Sequence, residues 1–196
     1  MLMMYRCETM NDLKQIESVY RKWMKKDFPP SELKPFASIK KDFVNQEYVC
    51  YGIFREDTLC GYAFFATKNM ENGRRQYLLD YFAVAEKERN QGIGSQFLQM
   101  LANAVTDCDL LICEAENPQY AEDESEKLLR QRRVGFYLRN GFSDTGVTTR
   151  LFGVEYVILA LKNTPQHSQE EIKTFYHAVY SRIIPKLLLQ KKLIIH

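Results

Sequence analysis

Residues Leu78–Leu101, LLDYFAVAEKERNQGIGSQFLQML, constrain what this chain can fold into more than any other stretch. The apolar and aromatic run Leu78–Val84 predicts a strand, the polar run Ala85–Gln91 a turn, and the segment from Gly94 a helix. Phe97, Leu98, Leu101, Ala104 and Val105 recur at helical spacing, so the first unpaired amides of that helix point back at the loop. Such an end favours an anion by roughly 0.3–1 kcal/mol before direct amide hydrogen bonds are counted. Gly92 and Gly94 lack Cβ atoms, so the backbone there can take unusual dihedrals and approach a ligand, and Arg89 places a fixed positive charge just before them. A Rossmann fingerprint wants a third glycine where Phe97 stands, and a Walker loop wants Gly-Lys-Ser/Thr; neither is present. A strand-to-helix turn that needs glycine for its geometry alone is the plain alternative.

A second block lies downstream at Arg132–Phe142, RRVGFYLRNGF: a helix that carries Phe-Tyr and ends in Asn-Gly-Phe before a strand. The spacing Arg89-Asn-Gln-Gly92-Ile-Gly94 resembles the Arg/Gln-x-x-Gly-x-Gly/Ala signature of the GNAT superfamily of acyl-CoA-dependent N-acyltransferases, and RRVGFYLRNGF resembles that family's other hallmark, in the same order. The resemblance covers Met1 to about Lys162. It implies an α/β (α+β) fold with a mixed, mostly antiparallel central sheet, splayed central strands and flanking helices.

The resemblance further implies acetyl-CoA as acyl donor, with Arg89, Asn90, Gln91, Gly92, Ile93, Gly94 and Ser95 around its pyrophosphate. Backbone groups of Phe82, Ala83 and Val84 would pair with the pantetheine arm, an amide near Phe82 or Ala83 serving as oxyanion donor. Arg133 or Arg89 would meet the adenosine phosphates, and Asn117 either bonds the cofactor arm or simply forms a turn before Pro118. Tyr137 matches the family tyrosine that meets the departing sulfur. Phenol, with a pKa of about 10, is a weaker acid than a thiol at about 8.5, so its role is a hydrogen bond to the developing thiolate. A nucleotide-binding reading of the same loop gives no role to RRVGFYLRNGF.

An alkylamine is mostly charged at neutral pH, so transfer to it needs a base, direct or through water. Glu116, Glu114 and Asp80 are the candidate carboxylates, Glu116 favoured narrowly for its place at a strand's open end. Each is otherwise a solvated or salt-bridged strand-end carboxylate. The acidic side chains favour a cationic amine acceptor. The expected function is N-acetyl transfer from acetyl-CoA to a primary amine by direct attack, without metal; the alternative is a non-catalytic acyl-CoA-binding regulatory module.

Length and composition agree with a single domain. At 196 residues and a formal charge of +2, the chain carries no broad basic surface and no arginine stripe interleaved with aromatics, so no nucleic acid partner is expected. Cys7, Cys50, Cys60, Cys108 and Cys113 form no Cys-x-x-Cys pair and predict buried thiols of a reducing cytosol. No apolar run approaches the roughly 18 residues of a membrane span, which predicts a cytoplasmic protein with no membrane partner.

Along the chain, a strand is expected over Leu2–Glu8, then a helix capped within Thr9–Asn11 and faced by Leu13, Ile16, Val19, Tyr20 and Trp23. Trp23 lines either the core or the acceptor site. Prolines 29, 30 and 35 break the next segment before a short helix at Ser38–Asn45, and Glu47–Phe54 with Leu59–Thr67 predict a hairpin. Asp109–Glu116 predicts a strand, Asn140-Gly141 a helix stop, and Phe142–Thr149 with Phe152–Leu161 the closing strands of a domain over 1–163. Residues 164–196 predict a helical extension opened by a capping box at Ser168 and interrupted at Pro185. Its apolar tail needs cover from the domain or from a second subunit, which would give a homodimer.

Overall fold

The computed structural model describes residues 5–162 and 164–196, which form two compact units: the residues up to Thr67 with Asp80–Thr106, and Lys68–Leu79 with Asp107–His196. In the first unit, β1 (Tyr5–Thr9) begins within the expected strand, whose residues Leu2–Met4 lie outside the described ones. Asp12, one residue beyond the expected cap, opens α1 (Leu13–Val19) by accepting from the Lys14 amide. A π turn, Tyr20–Met24, continues it into α2 (Lys25–Asp27), and Trp23 on that turn is half-buried rather than core. α3 (Phe36–Val44) starts two residues earlier than the pattern suggested, because Pro35 presets the entry and its carbonyl accepts from the Ser38 amide. β2 (Tyr48–Arg55) and β3 (Thr58–Asn69) form the predicted hairpin, with Glu56 at positive φ in the turn.

β4 (Arg75–Val84) runs through both units. A short 3-10 turn, Glu86–Glu88, leads to α4 (Ile93–Ala104), which begins one residue before Gly94. α4 supplies the crossover that a parallel strand pair requires. Ile16, Met24, Ile39, Phe64 and Phe97 are fully or almost fully buried in this unit.

The second unit contains β5 (Cys108–Glu116), parallel to β4 from Gln76↔Leu110 to Leu79↔Cys113. The ladder ends there; Asp80–Val84 and Glu114–Glu116 stand outside it. α5 (Glu124–Arg139) is capped by Asp123 and stops at Gly141, φ +90°. β6 (Phe142–Leu151) and β7 (Val154–Leu161) turn through Phe152 and Gly153, both at positive φ. Ser168 and Glu171 close the predicted capping box of α6 (Gln169–Ile183). Pro185 separates it from α7 (Lys186–Lys192). The tail then departs from the helical reading: β8 (Leu193–Ile195) pairs antiparallel with β6, and its two β-branched isoleucines suit a strand that covers an open edge.

Among the described residues the strand order is β1-β2-β3-β4-β5-β7-β6-β8. The pairs β1/β2, β2/β3, β5/β7, β6/β7 and β6/β8 are antiparallel. The sheet is therefore mixed and mostly antiparallel, with α helices flanking it. Leu78 and Leu79 are both buried, so β4 is covered on each face and its alternation does not separate core from solvent.

Candidate active site

The loop between β4 and α4 is built to leave amides open. Asn90 (φ +62°) and Gly92 (φ +79°) both take the left-handed conformation, and Gly92 is the α4 N-cap. No side chain caps this helix and no acidic residue occupies its first turn. The Gln96 amide closes the first helical bond to the Gly92 carbonyl, so the amides of Ile93, Gly94 and Ser95 are the helix's open donors. A Cβ at Gly92 would meet nothing within 4 Å, which leaves room above the loop. Open amides at a helix start, with no acidic residue in the first turn, fit the phosphates of acetyl-CoA.

Arg89 does not reach out from this loop. Its Nε donates to the Val84 carbonyl at 3.0 Å and its Nη2 pairs with Asp27 at 3.1 Å, while Tyr62 donates to the other Asp27 oxygen at 2.9 Å. Gln91 likewise turns inward, its Nε2 donating to the Lys87 carbonyl at 2.8 Å. These two side chains shape the loop, and the backbone is what it presents. Phe82 stacks on Phe97 of α4 at 5.4 Å, and the Ala83 carbonyl approaches Gly61 so closely that a Cβ there would lie 2.7 Å from it.

Asp80, the first β4 residue beyond the parallel ladder, has a side chain that is 5% exposed and fully engaged. Lys34 Nζ donates to both its oxygens at 2.7 Å, and the Tyr48 hydroxyl donates to Oδ2. Burial first, then the Asp80 charge, pushes the Tyr48 phenol well above its ordinary range, so it stays a donor.

In the second unit, Glu114 receives hydroxyls from α6: Tyr180 donates to Oε2 at 2.6 Å and Tyr176 to Oε1. Thr149 donates in turn to the Tyr176 oxygen at 3.1 Å. Burial and then Glu114 raise the Tyr176 phenol strongly. Glu116 lies against two guanidiniums, Arg130 at 3.6 Å and Arg133 at 3.4 Å. Arg133, a candidate for the adenosine phosphates, is thus paired with Glu116. Asn117 forms the turn: its Oδ1 accepts from the Gln119 amide at 3.0 Å and its carbonyl accepts from Arg130 at 3.1 Å.

Tyr137 is buried among Phe136 and Phe142, both with ring centroids 5.4 Å away. Burial, then Cys113, raises its phenol far above the usual range, with Arg133 pulling weakly the other way. Its hydroxyl makes no hydrogen bond among the described residues. A buried tyrosine usually finds a partner for that group.

Residues 46–144 match the model of the acetyltransferase (GNAT) domain, about half of the chain and including both sequence blocks. The chain belongs to the GNAT acetyltransferases. No curated protein sequence matches this GNAT protein significantly. Its fold is similar to that of a candidate GNAT-family acetyltransferase from Bacteroides thetaiotaomicron, at TM-score 0.67 and 16% identity over 91% of this chain and 96% of that one. The ribosomal-protein-S18-alanine N-acetyltransferase of Escherichia coli aligns at TM-score 0.54 and 17% identity, over 84% and 97%. Arabidopsis thaliana Naa50, in complex with the bisubstrate analogue CoA-Ac-MVNAL, aligns at TM-score 0.55 and 14% identity, over 80% and 97%. Each likeness concerns the fold.

Sequence reasoning missed the partners of the carboxylates: Lys34 and Tyr48 on Asp80, and Tyr176 and Tyr180 on Glu114. The available signal was weak. Tyr176 and Tyr180 stand four apart on the buried face of a capped helix, where hydroxyls need acceptors. Nothing local marks Lys34. Among the described residues no cluster of His, Cys, Asp and Glu has the makings of a metal site, and no helix is long and apolar enough to cross a membrane.

Proposed function

We propose that this GNAT acetyltransferase transfers acetyl from acetyl-CoA to a primary amine by direct attack, with Glu114 as base and Tyr137 as hydrogen-bond donor to the departing sulfur. The observation that carries the reading is the Tyr137 phenol, kept protonated by the burial of its ring and making no hydrogen bond among the described residues. A donor held in reserve at a motif tyrosine suits a charge that exists only during reaction.

Acetyl-CoA supplies the activated thioester. The amides of Ile93, Gly94 and Ser95 hold its phosphates, and the backbone of Phe82–Val84 aligns its arm. Glu114 takes the proton that the amine must lose.

Glu114 is preferred to Glu116 and Asp80 for the two tyrosine hydroxyls that it receives from α6. A base must exist in both protonation states during every turnover. Arg130 and Arg133 do not surrender their protons, so protonating Glu116 would leave cations facing a neutral group. The Lys34 ammonium imposes the same penalty on Asp80. The phenols of Tyr176 and Tyr180 can turn from donor to acceptor and accommodate Glu114 in either state.

The test is calorimetric binding of acetyl-CoA, coenzyme A and ATP to the purified protein, followed by thiol release across an amine panel. Coenzyme A binding with amine-dependent thiol release is expected. Absence of coenzyme A binding overturns the reading, and preference for ATP would replace it with a nucleotide-binding one.

A further inference from the structure

Asp80 carries more than its place in β4 requires. A carboxylate taken out of water gains little net stability from one cation, since desolvation offsets most of the attraction. Yet its side chain is 5% exposed and surrounded by donors, a bidentate ammonium and a phenol. The ammonium comes from Lys34, on the irregular segment between α2 and α3 bounded by Pro29, Pro30 and Pro35.

That segment does not depend on the ion pair for its position. The Lys34 amide donates to the Tyr81 hydroxyl at 2.8 Å, and its carbonyl accepts from the Tyr20 hydroxyl at 3.0 Å. Tyr81 also donates to the Glu32 carbonyl at 2.9 Å. The backbone around Lys34 is therefore fixed by tyrosine hydroxyls, and its side chain can be withdrawn without releasing the chain. The Lys34 side chain keeps 13% exposure, a route by which one ammonium can leave and another enter.

We propose that Asp80 and Tyr48 form a subsite for an alkylammonium group of the acceptor, and that Lys34 fills this subsite as a resident stand-in until the acceptor displaces it. The inference rests on the acetyltransferase reading and names its substrate class: a diamine with one protonated end. Asp80 stands two residues before Phe82 on the same strand, about 7 Å along it at strand rise. A second amine separated from the bound ammonium by about four methylenes spans that distance. The neutral Tyr48 phenol remains on Asp80 Oδ2 whichever ammonium is present, so that oxygen keeps a donor during exchange and the incoming ammonium has Oδ1 to fill.

The probe is butane-1,4-diamine, titrated calorimetrically into wild type, Lys34→Met and Lys34→Met/Asp80→Asn, with coenzyme A binding as the control for the acetyltransferase reading. Lys34→Met is expected to bind the diamine at least about tenfold more tightly than wild type, and the double variant to lose that gain. n-Butylamine, which lacks the second nitrogen, should gain binding in Lys34→Met but should not be turned over when held at Asp80. No gain in Lys34→Met, or a gain that survives Asp80→Asn, overturns the subsite. In wild type, the Lys34 ammonium resonance followed by NMR should move on saturation with diamine; a resonance that does not move overturns it equally, whatever the variants' folding. A protein that binds coenzyme A and fails these tests loses the subsite alone, whereas one that does not bind coenzyme A loses the acetyltransferase reading.

Discussion

Replacing Tyr137 with phenylalanine separates chemistry from packing with unusual clarity. The ring is buried against Phe136 and Phe142, and phenylalanine keeps every one of those contacts. The hydroxyl that is lost has no hydrogen-bond partner among the described residues, so no protein bond is broken. Removing a buried polar group without a partner is neutral or gains up to about 1 kcal/mol. For a chain of this size that is a rise in Tm of about 0–4 °C. In the reaction the same hydroxyl would meet a developing thiolate, and a hydrogen bond to a charged group contributes about 1.5–3 kcal/mol. Turnover should fall about 10- to 150-fold, with coenzyme A affinity nearly unchanged. Thermal melts, coenzyme A titration and steady-state thiol release read the three quantities. Turnover within about twofold of wild type would refute the role and leave Tyr137 as packing. A Tm loss of more than about 3 °C would refute the reasoning itself, because the hydroxyl would then hold a bond in the resting protein.

Gly94→Glu places a negative side chain in the first turn of α4 and should weaken coenzyme A binding at least about tenfold in calorimetry, while the fold, read by circular dichroism, persists. Gly61→Ala puts a Cβ 2.7 Å from the Ala83 carbonyl and 3.3 Å from Val84 Cα, so β4 must shift; a cost of about 1–3 kcal/mol and a Tm fall of roughly 2–10 °C should accompany weaker coenzyme A binding. An unchanged melt would show that the strands tolerate the methyl. Burial pushes the Cys7 thiol up to about 11 and Cys108 up to about 12, so iodoacetamide at pH 8 should label both far more slowly than free cysteine, accelerating toward pH 10; rapid labelling seen by mass spectrometry would contradict this. The Ser168 amide and hydroxyl lower the Glu171 carboxyl below its ordinary value of 4.5, so its contribution to stability is present above that pH and lost as pH falls through the lowered value. The Tm gap between wild type and Ser168→Ala should therefore narrow as the pH falls below the ordinary value of 4.5.

What was legible in the sequence is what short-range chemistry dictates. The strand, loop and α4 could be read because the glycines and the apolar spacing act locally. The one-residue error at the start of α4 arose because Gly92, and not a residue after it, takes the left-handed cap, while β4 begins at Arg75, three residues before the expected Leu78. The capping box at Ser168 and the stop at Gly141 were read for the same reason. α5 is the instructive contrast: Arg130 is buried while Leu128 and Leu129 are more than half exposed, so its stop at Asn140-Gly141 located its end and its periodicity could not. The carboxylate partners lie 46 residues away for Lys34 and Asp80, and 62 for Glu114 and Tyr176, beyond the reach of any local pattern. The tail read as helical up to its end because the strand Leu193–Ile195 exists only where β6 offers an edge.

The match to the family ends at residue 144, and the surroundings of Glu114 do not. Tyr176 and Tyr180 reach it from α6, whose Ile172, Phe175 and Val179 are buried in the second unit's core. Tyr176 also accepts from Thr149 on β6, and the same β6 residue is paired with Ile195 of the tail. The hydroxyls on the proposed base are thus held in register by the last helix and the last strand of the chain. Packing that stabilises the extension is the same packing that fixes the phenols, so loosening it would misorient Glu114 before it unfolded the sheet. With Glu114 as the proposed base, the residues outside the matched region would bear on the chemistry through it, and not merely on the stability of the fold.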